Sequence, residues 1–145
     1  MSEACTYEVV TAAPVEAIVA LYQAGGWWQE SPEARAVIPD MIRGSFCFML
    51  ARDPEGRIVG MGRVISDGFS DGYIQDVVVF HHLRGKGIGR ELVFRLAQYC
   101  EAKSLGWIGL VAEPGTYGYY QKLGFSLKEG FQLMLKTGKA AGEAE

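Results

Sequence analysis

Apolar residues change their spacing several times along the chain, and each change predicts an element. Tyr7 to Thr11 reads as a short strand. Val15, Ile18, Val19 and Tyr22 then recur at intervals of three and four, which puts them on one face of a helix. Pro14 suits its first turn and Gly25-Gly26 ends it. Ser31 followed by Pro32 reads as an N-cap and first helical residue, opening a second helix that runs to about Arg43. Phe46 to Arg52 and Ile58 to Ser66 are β-type runs on either side of Asp53-Pro54-Glu55-Gly56, which predicts a hairpin. After Ser70-Asp71-Gly72 comes Tyr73 to Phe80. Its centre, Val77-Val78-Val79, is continuously apolar, as in a strand buried on both faces.

From Gly87 the period returns to that of a helix, with Ile88, Leu92, Leu96 and Cys100 stepping by four and Val93 and Ala97 widening the stripe. Trp107 to Ala112 reads as a strand, Thr116 to Leu123 as a short helix stopped by Gly124, and Phe125 to Lys136 as a closing strand or hairpin. The order β-α-α-β-β-β-α-β-α-β predicts an α/β fold, antiparallel in its front half with one βα crossover behind. The chain has 145 residues, the size of one domain, expected over 1–137 with a small, charged tail over 138–145.

A net charge of −3 excludes a general nucleic-acid binder, which needs a clustered basic surplus. No run reaches the roughly 18–20 apolar residues of a membrane span, and Met1 to Thr6 lacks a signal-peptide pattern. Cys5, Cys47 and Cys100 have no metal-type spacing and lie in apolar patterns. Free thiols in a cytoplasmic protein without a metal are expected.

One segment carries chemistry. Between the apolar strand and the amphipathic helix stands Leu83-Arg84-Gly85-Lys86-Gly87-Ile88-Gly89. Glycines let backbone N–H groups turn toward a ligand, the helix start adds partial positive charge, and Arg84 and Lys86 add formal charge. A diphosphate suits such a turn. Lys86 is followed by Gly87 rather than Ser or Thr, so the turn is not a P-loop. A dinucleotide fingerprint starting at Gly85 would need glycine where Arg90 stands.

With Arg84, Gly87 and Gly89 in a Q/R-x-x-G-x-G/A pattern after Asp76-Val77-Val78-Val79, the chain resembles the GNAT superfamily of acetyl-CoA-dependent N-acetyltransferases. Tyr119-Tyr120-Gln121-Lys122-Leu123-Gly124-Phe125 matches the family's second landmark. The resemblance implies a central, mixed, mostly antiparallel sheet of six to seven strands flanked by about four helices, with one strand pair splayed for the cofactor. It implies that Val77, Val78 and Val79 offer main-chain groups to the pantetheine arm. A backbone N–H near Val78 would then face the thioester oxygen. Arg84, Gly85, Lys86, Gly87, Ile88 and Gly89 would cradle the diphosphate, and Tyr120 would be the acid that protonates the departing thiolate. Acetyl-CoA is the implied co-substrate and a primary amine, of a small molecule, the implied acceptor. A protein lysine or N-terminal acetyltransferase and a non-catalytic acyl-CoA-binding module are the alternatives. Homodimers are frequent in the family. Relatives acting on phosphorylated amino sugars commonly place an acid where this chain has Gln75. Trp27-Trp28, on a loop loosened by Gly25-Gly26, is the unusual element on the acceptor side, read either as a pocket wall or as ordinary packing.

Overall fold

The structure is a computed structural model and describes residues 5–137; the tail expected over 138–145 lies outside them. Two compact units divide the chain, one ending at Leu110 and the other beginning at Val111.

The first unit is built on a five-stranded sheet in chain order. Its strands are β1 (Thr6–Val9), β2 (Cys47–Arg52), β3 (Ile58–Ser66), β4 (Asp71–Val79) and β5 (Trp107–Leu110). The first four pair antiparallel and β5 joins β4 in parallel. The parallel step is the predicted crossover, made by α4 (Ile88–Ala102). The helices before the sheet are α1 (Val15–Ala24), α2 (Pro32–Ala36) and α3 (Ile38–Gly44). The single helix expected from Ser31 to Arg43 is therefore two. Pro39 falls in the first turn of α3, where its missing N–H costs nothing, whereas inside a continuous helix it would break the ladder. Val37 closes α2 and opens α3.

Strand alternation sorts the core onto the two faces of the sheet. Met61 and Val78 join Ile18, Leu21, Ile38 and Ile42 of α1 and α3, with Phe48 and Leu50, in one buried cluster. On the other face, Leu92, Val93, Leu96 and Cys100 of α4 are buried. A Cβ placed on Gly62 would lie 2.8 Å from Leu96 Cδ1 and 3.1 Å from Val77 Cγ2, so the missing side chain lets α4 seat closely on the sheet.

One irregularity reorganises β4. Met61 stands opposite Val78, yet Arg63 stands opposite Gln75. Two steps on β3 are matched by three on β4, which is a β-bulge. Asp76 sits in it at φ +61°, in the left-handed region. An extra residue inverts the alternation downstream. Gly72 faces Cys100 and Leu105, while Val77 lies beside Gly62 and Leu96 on the same side. Asp76 is thereby freed to face α1.

The second unit holds α5 (Tyr117–Gln121). The closing strand expected over Phe125 to Lys136 is not formed among the described residues, which is why the sheet has five strands rather than six to seven. A strand exists only by pairing, and this stretch makes no ladder; Gly130, at φ +83°, turns the chain midway. Leu127, Phe131, Leu133, Met134 and Leu135 are exposed there. Among the described residues no helix is long and apolar enough to cross a membrane, and no group of three or more His, Cys, Asp or Glu could hold a metal ion.

Gly62→Val should lower stability by about 1–3 kcal/mol, the usual range for overpacking a core contact. Urea unfolding of the two proteins measures it, and an unchanged midpoint would show that α4 is not seated on Gly62.

Candidate functional site

Residues 84–89 join β4 to α4 through a short 3₁₀ turn, His81–Leu83. Gly85 and Gly87 adopt φ of +84° and +87°. These left-handed residues alternate with ordinary ones, a conformation that turns successive amides into one concavity able to hold an anion. Gly87 caps α4 without a side-chain hydrogen bond. The first in-helix bond runs from Glu91 N–H to Gly87 O, 3.0 Å, so the amides of Ile88, Gly89 and Arg90 precede the helical ladder and remain for a ligand. The six expected loop residues are thus brought together at the start of a 15-residue helix. Ile88 differs from the rest in burying its side chain in the core, at 3% exposure, so only its backbone can serve.

The expected strand residues flank that loop. Val78 and Val79 are buried and Val77 half-buried. The β4–β5 ladder ends at Ile74 opposite Leu110, while β4 runs on to Val79. Its edge away from β3 therefore lacks a strand from Gln75 onward among the described residues, which is the splay. Antiparallel alternation decides what that edge offers. Phe80 N–H donates to Val59 O at 3.2 Å, so Val78 likewise bonds across to Met61, and Val79 between them turns outward. Arg84 Nε donates to the Val79 carbonyl at 3.0 Å. The outward amide near Val78 is therefore that of Val79.

The bulge is fastened by side chains. Asp76 Oδ2 accepts from Arg63 Nε at 2.9 Å and from the Tyr22 hydroxyl at 2.8 Å. Arg63 is only 13% exposed and Asp76 21%, so the pair is well shielded. Burial, then the Asp76 charge and its hydrogen bond, push the Tyr22 hydroxyl well above its ordinary value. Asp76 is thus occupied twice and holds the strand. His81 and His82 are exposed turn residues, and His81 Nε2 lies 3.1 Å from Ala24 O at the end of α1.

Tyr22 also borders a pocket of about 650 Å³ between the loop after α1 and helices α2 and α3. Gly26, at φ +80°, closes α1 with its N–H on Gln23 O, while Trp27 N–H returns to Tyr22 O at 3.1 Å. The bare Cα of Gly25 admits the Trp27 ring, which would stand 2.7 Å from a Cβ there. Trp27 meets Tyr22 edge-on at 6.2 Å and Trp28 stacks near it at 6.3 Å. Both tryptophans line this pocket, with Trp28 packed against the core cluster and Trp27 42% exposed. Tyr22 and the aliphatic wall from Val37, Ile38 and Met41 carry no signal in the sequence that marks them as more than core.

In the second unit, Tyr120 ends α5 under a left-handed glycine cap of the same kind. Gly124, at φ +97°, donates to Gln121 O, and Phe125 N–H reaches Tyr120 O at 3.2 Å. The Tyr120 and Phe125 rings meet edge-on at 6.3 Å. The Lys-Leu-Gly-Phe ending is therefore the device that fixes the Tyr120 backbone. Burial, then the nearby Glu113 carboxylate, raise the Tyr120 hydroxyl above its usual value, so it is protonated at neutral pH. Tyr119 beside it is 39% exposed.

The sequence pattern of the Acetyltransferase (GNAT) family matches residues 12–125. A chloroplastic serotonin N-acetyltransferase 2 of rice is 36% identical over 77 residues, 53% of this chain and 38% of the rice protein. Glucosamine 6-phosphate N-acetyltransferase of Trypanosoma brucei is 32% identical over 102 residues, 65% of this chain and 69% of that protein. Among solved structures, a GNAT-family acetyltransferase of Streptococcus pneumoniae superposes with a TM-score of 0.75 at 24% identity, covering 93% of this chain and 98% of its own, a likeness of fold.

The stability of the wild type should fall as pH rises above about 10, where an unfolded tyrosine ionises. The raised Tyr22 favours the folded state fully below that pH and loses this contribution as pH climbs toward its folded value. Tyr22→Phe should lose stability less steeply over the same range in urea titrations. Parallel curves would remove Tyr22 from the bulge.

Proposed function

The chain belongs to the acetyltransferase (GNAT) family, and from that premise we propose that it transfers the acetyl group of acetyl-CoA to a primary amine of a small molecule by direct attack. One observation carries the reading: a strand edge left unpaired among the described residues, Gln75 to Val79, runs straight into a positive-φ glycine turn at the start of a long helix. Acetyl-CoA presents an extended, amide-bearing arm and then a diphosphate, and those two features meet its two parts in that order. Acetyl-CoA supplies the activated acyl group. Within Val77 to Val79, the main chain that is not paired with β3 binds the arm, with the Val79 amide among its donors, and Arg84 to Gly89 hold the diphosphate. The neutral amine attacks the thioester carbonyl and the C–S bond breaks. Tyr120, protonated at neutral pH, gives its proton to the departing thiolate, and the proton shed by the nitrogen passes to solvent, from which the tyrosine is reprotonated. The two relatives described above are named for small-molecule amines, which supports that acceptor class over a protein. The chain spans about two fifths of the rice protein, so the activity is carried here by the site residues. Free thiols at Cys5, Cys47 and Cys100 suit a reducing compartment, the cytoplasm in this reading.

Tyr120→Phe should cut kcat about 100-fold, the usual worth of a general acid, with KM for acetyl-CoA little changed. Release of free thiol against an amine panel measures it, and full activity in the variant would end the acid assignment. Gly87→Glu sets a side chain and a negative charge in the anion cradle at a left-handed position. Calorimetric titration with CoA should find binding lost; retained affinity would place the diphosphate elsewhere.

A further inference from the structure

The pocket beside Tyr22 has a chemistry of its own. Its volume of about 650 Å³ falls in the range of small-molecule sites, roughly 300–1,000 Å³. One wall is aromatic, from Tyr22, Trp27 and Trp28, and the facing wall is aliphatic, from Val37, Ile38 and Met41. Trp27 is 42% exposed and Val37 46%, so substantial apolar surface is left to a guest.

The aromatic wall is held in place before any guest arrives. Trp28 Nε1 donates to Glu30 at 3.0 Å, and Arg35 grips the same carboxylate with Nε and Nη2. Tyr22 is fixed at its far end by Asp76. Trp28 stacks on Tyr22 and lies under the Arg35 guanidinium, so the ring surface left to a guest is chiefly that of Trp27. Rings held in this way lose little freedom on binding.

Charge narrows the guest further. Among the described residues, Glu30 is the one charged residue of the lining, and Arg35 already compensates it. No Lys, Arg or His among them lines the pocket, and the neighbouring Arg35 is engaged by Glu30 and Glu16, so a phosphate-bearing acceptor would find no free cation there. A polyamine would find no second carboxylate. An apolar, flat body with a single amine fits both walls. Tyr22 belongs at once to the pocket and to the fastening of the β4 bulge, so a guest on its ring borders the strand assigned to the acetyl donor.

We propose that the acceptor is an arylalkylamine, a primary amine on a short arm from an aromatic ring, with the ring seated between the Trp27-Trp28 loop and the α2–α3 wall. This rests on the acetyl-transfer reading above and adds the identity of the acceptor class. The aromatic faces take the ring, and the amine is the one polar group left to leave the pocket toward β4.

The test is thiol release from acetyl-CoA with 2-phenylethylamine, glucosamine 6-phosphate, spermidine and a lysine-bearing peptide. Phenylethylamine should give a kcat/KM at least about tenfold above each of the others, the discrimination an aromatic slot can supply. Trp28→Ala should raise KM for phenylethylamine about tenfold while kcat moves far less. Ala34→Phe, which fills the pocket from α2 and removes no core contact, should do the same, with melting curves showing both variants folded. A better sugar-phosphate, polyamine or peptide acceptor would overturn the assignment while leaving acetyl transfer standing, as would an unchanged KM in both variants. Should no amine release thiol, tryptophan fluorescence of the protein titrated with phenylethylamine separates the two readings. Saturable quenching that Ala34→Phe abolishes upholds the aromatic pocket and overturns only the transfer, whereas no quenching overturns the pocket as well.

Discussion

The site depends on one residue in an unfavoured backbone conformation. Asp76 sits at φ +61°, a region that most side chains avoid and aspartate tolerates better than most. The extra residue inverts the face pattern of β4. Without it, Asp76 would share the side of Gly72 and be driven against the apolar stripe of α4. With it, the carboxylate reaches Arg63 and Tyr22, while Val77 drops onto Gly62 and Leu96. The strain is held by a shielded ion pair on one face and close packing on the other. Shielded pairs of this kind add little net stability but are costly to break, because the remaining charge stays behind. They therefore specify the strand's geometry more than they strengthen it.

From that constraint follow the positions of both halves of the site. The bulge lies just beyond the last β4–β5 pair, so the strand leaves its parallel neighbour with an open edge as it approaches the glycine turn. Through Tyr22 the same bulge is tied to α1 and to the loop that turns back at Gly26. The open edge of β4 and the pocket beside Tyr22 are thus tied to one carboxylate oxygen, and a shift of the bulge would move both.

The sequence made the donor half legible because its demands fall on the backbone. An anion cradle needs left-handed residues at a helix start, and only glycine meets that need cheaply; Gly85 and Gly87 stand where the φ values require them. The same holds for Gly124 behind Tyr120. The place of the bulge was not legible in the residues themselves. Gln75-Asp76-Val77 reads as ordinary strand, and the deciding bonds come from Tyr22 and Arg63, 54 and 13 residues away. Nor was the break at Val37, although Pro39 marks it once the first-turn position of proline is weighed. The closing strand failed for another reason: Leu133-Met134-Leu135 has the composition of a strand, but pairing belongs to two segments and composition to one.

The pocket beside Tyr22 was hidden in a different way. Tyr22, Ile38 and Met41 are where an amphipathic helix places its core residues, and nothing in their spacing separates a wall facing a cavity from one facing another side chain. The separating feature is the loop between the helices. Gly25 and Gly26 allow the chain to fold back so tightly that Trp27 covers the end of α1, and the Trp28–Glu30–Arg35 contacts then hold the second ring. The rings are therefore kept off the α2–α3 wall instead of collapsing onto it. A pocket of this kind is made by residues that stop hydrophobic side chains from meeting, here two glycines and one ion pair.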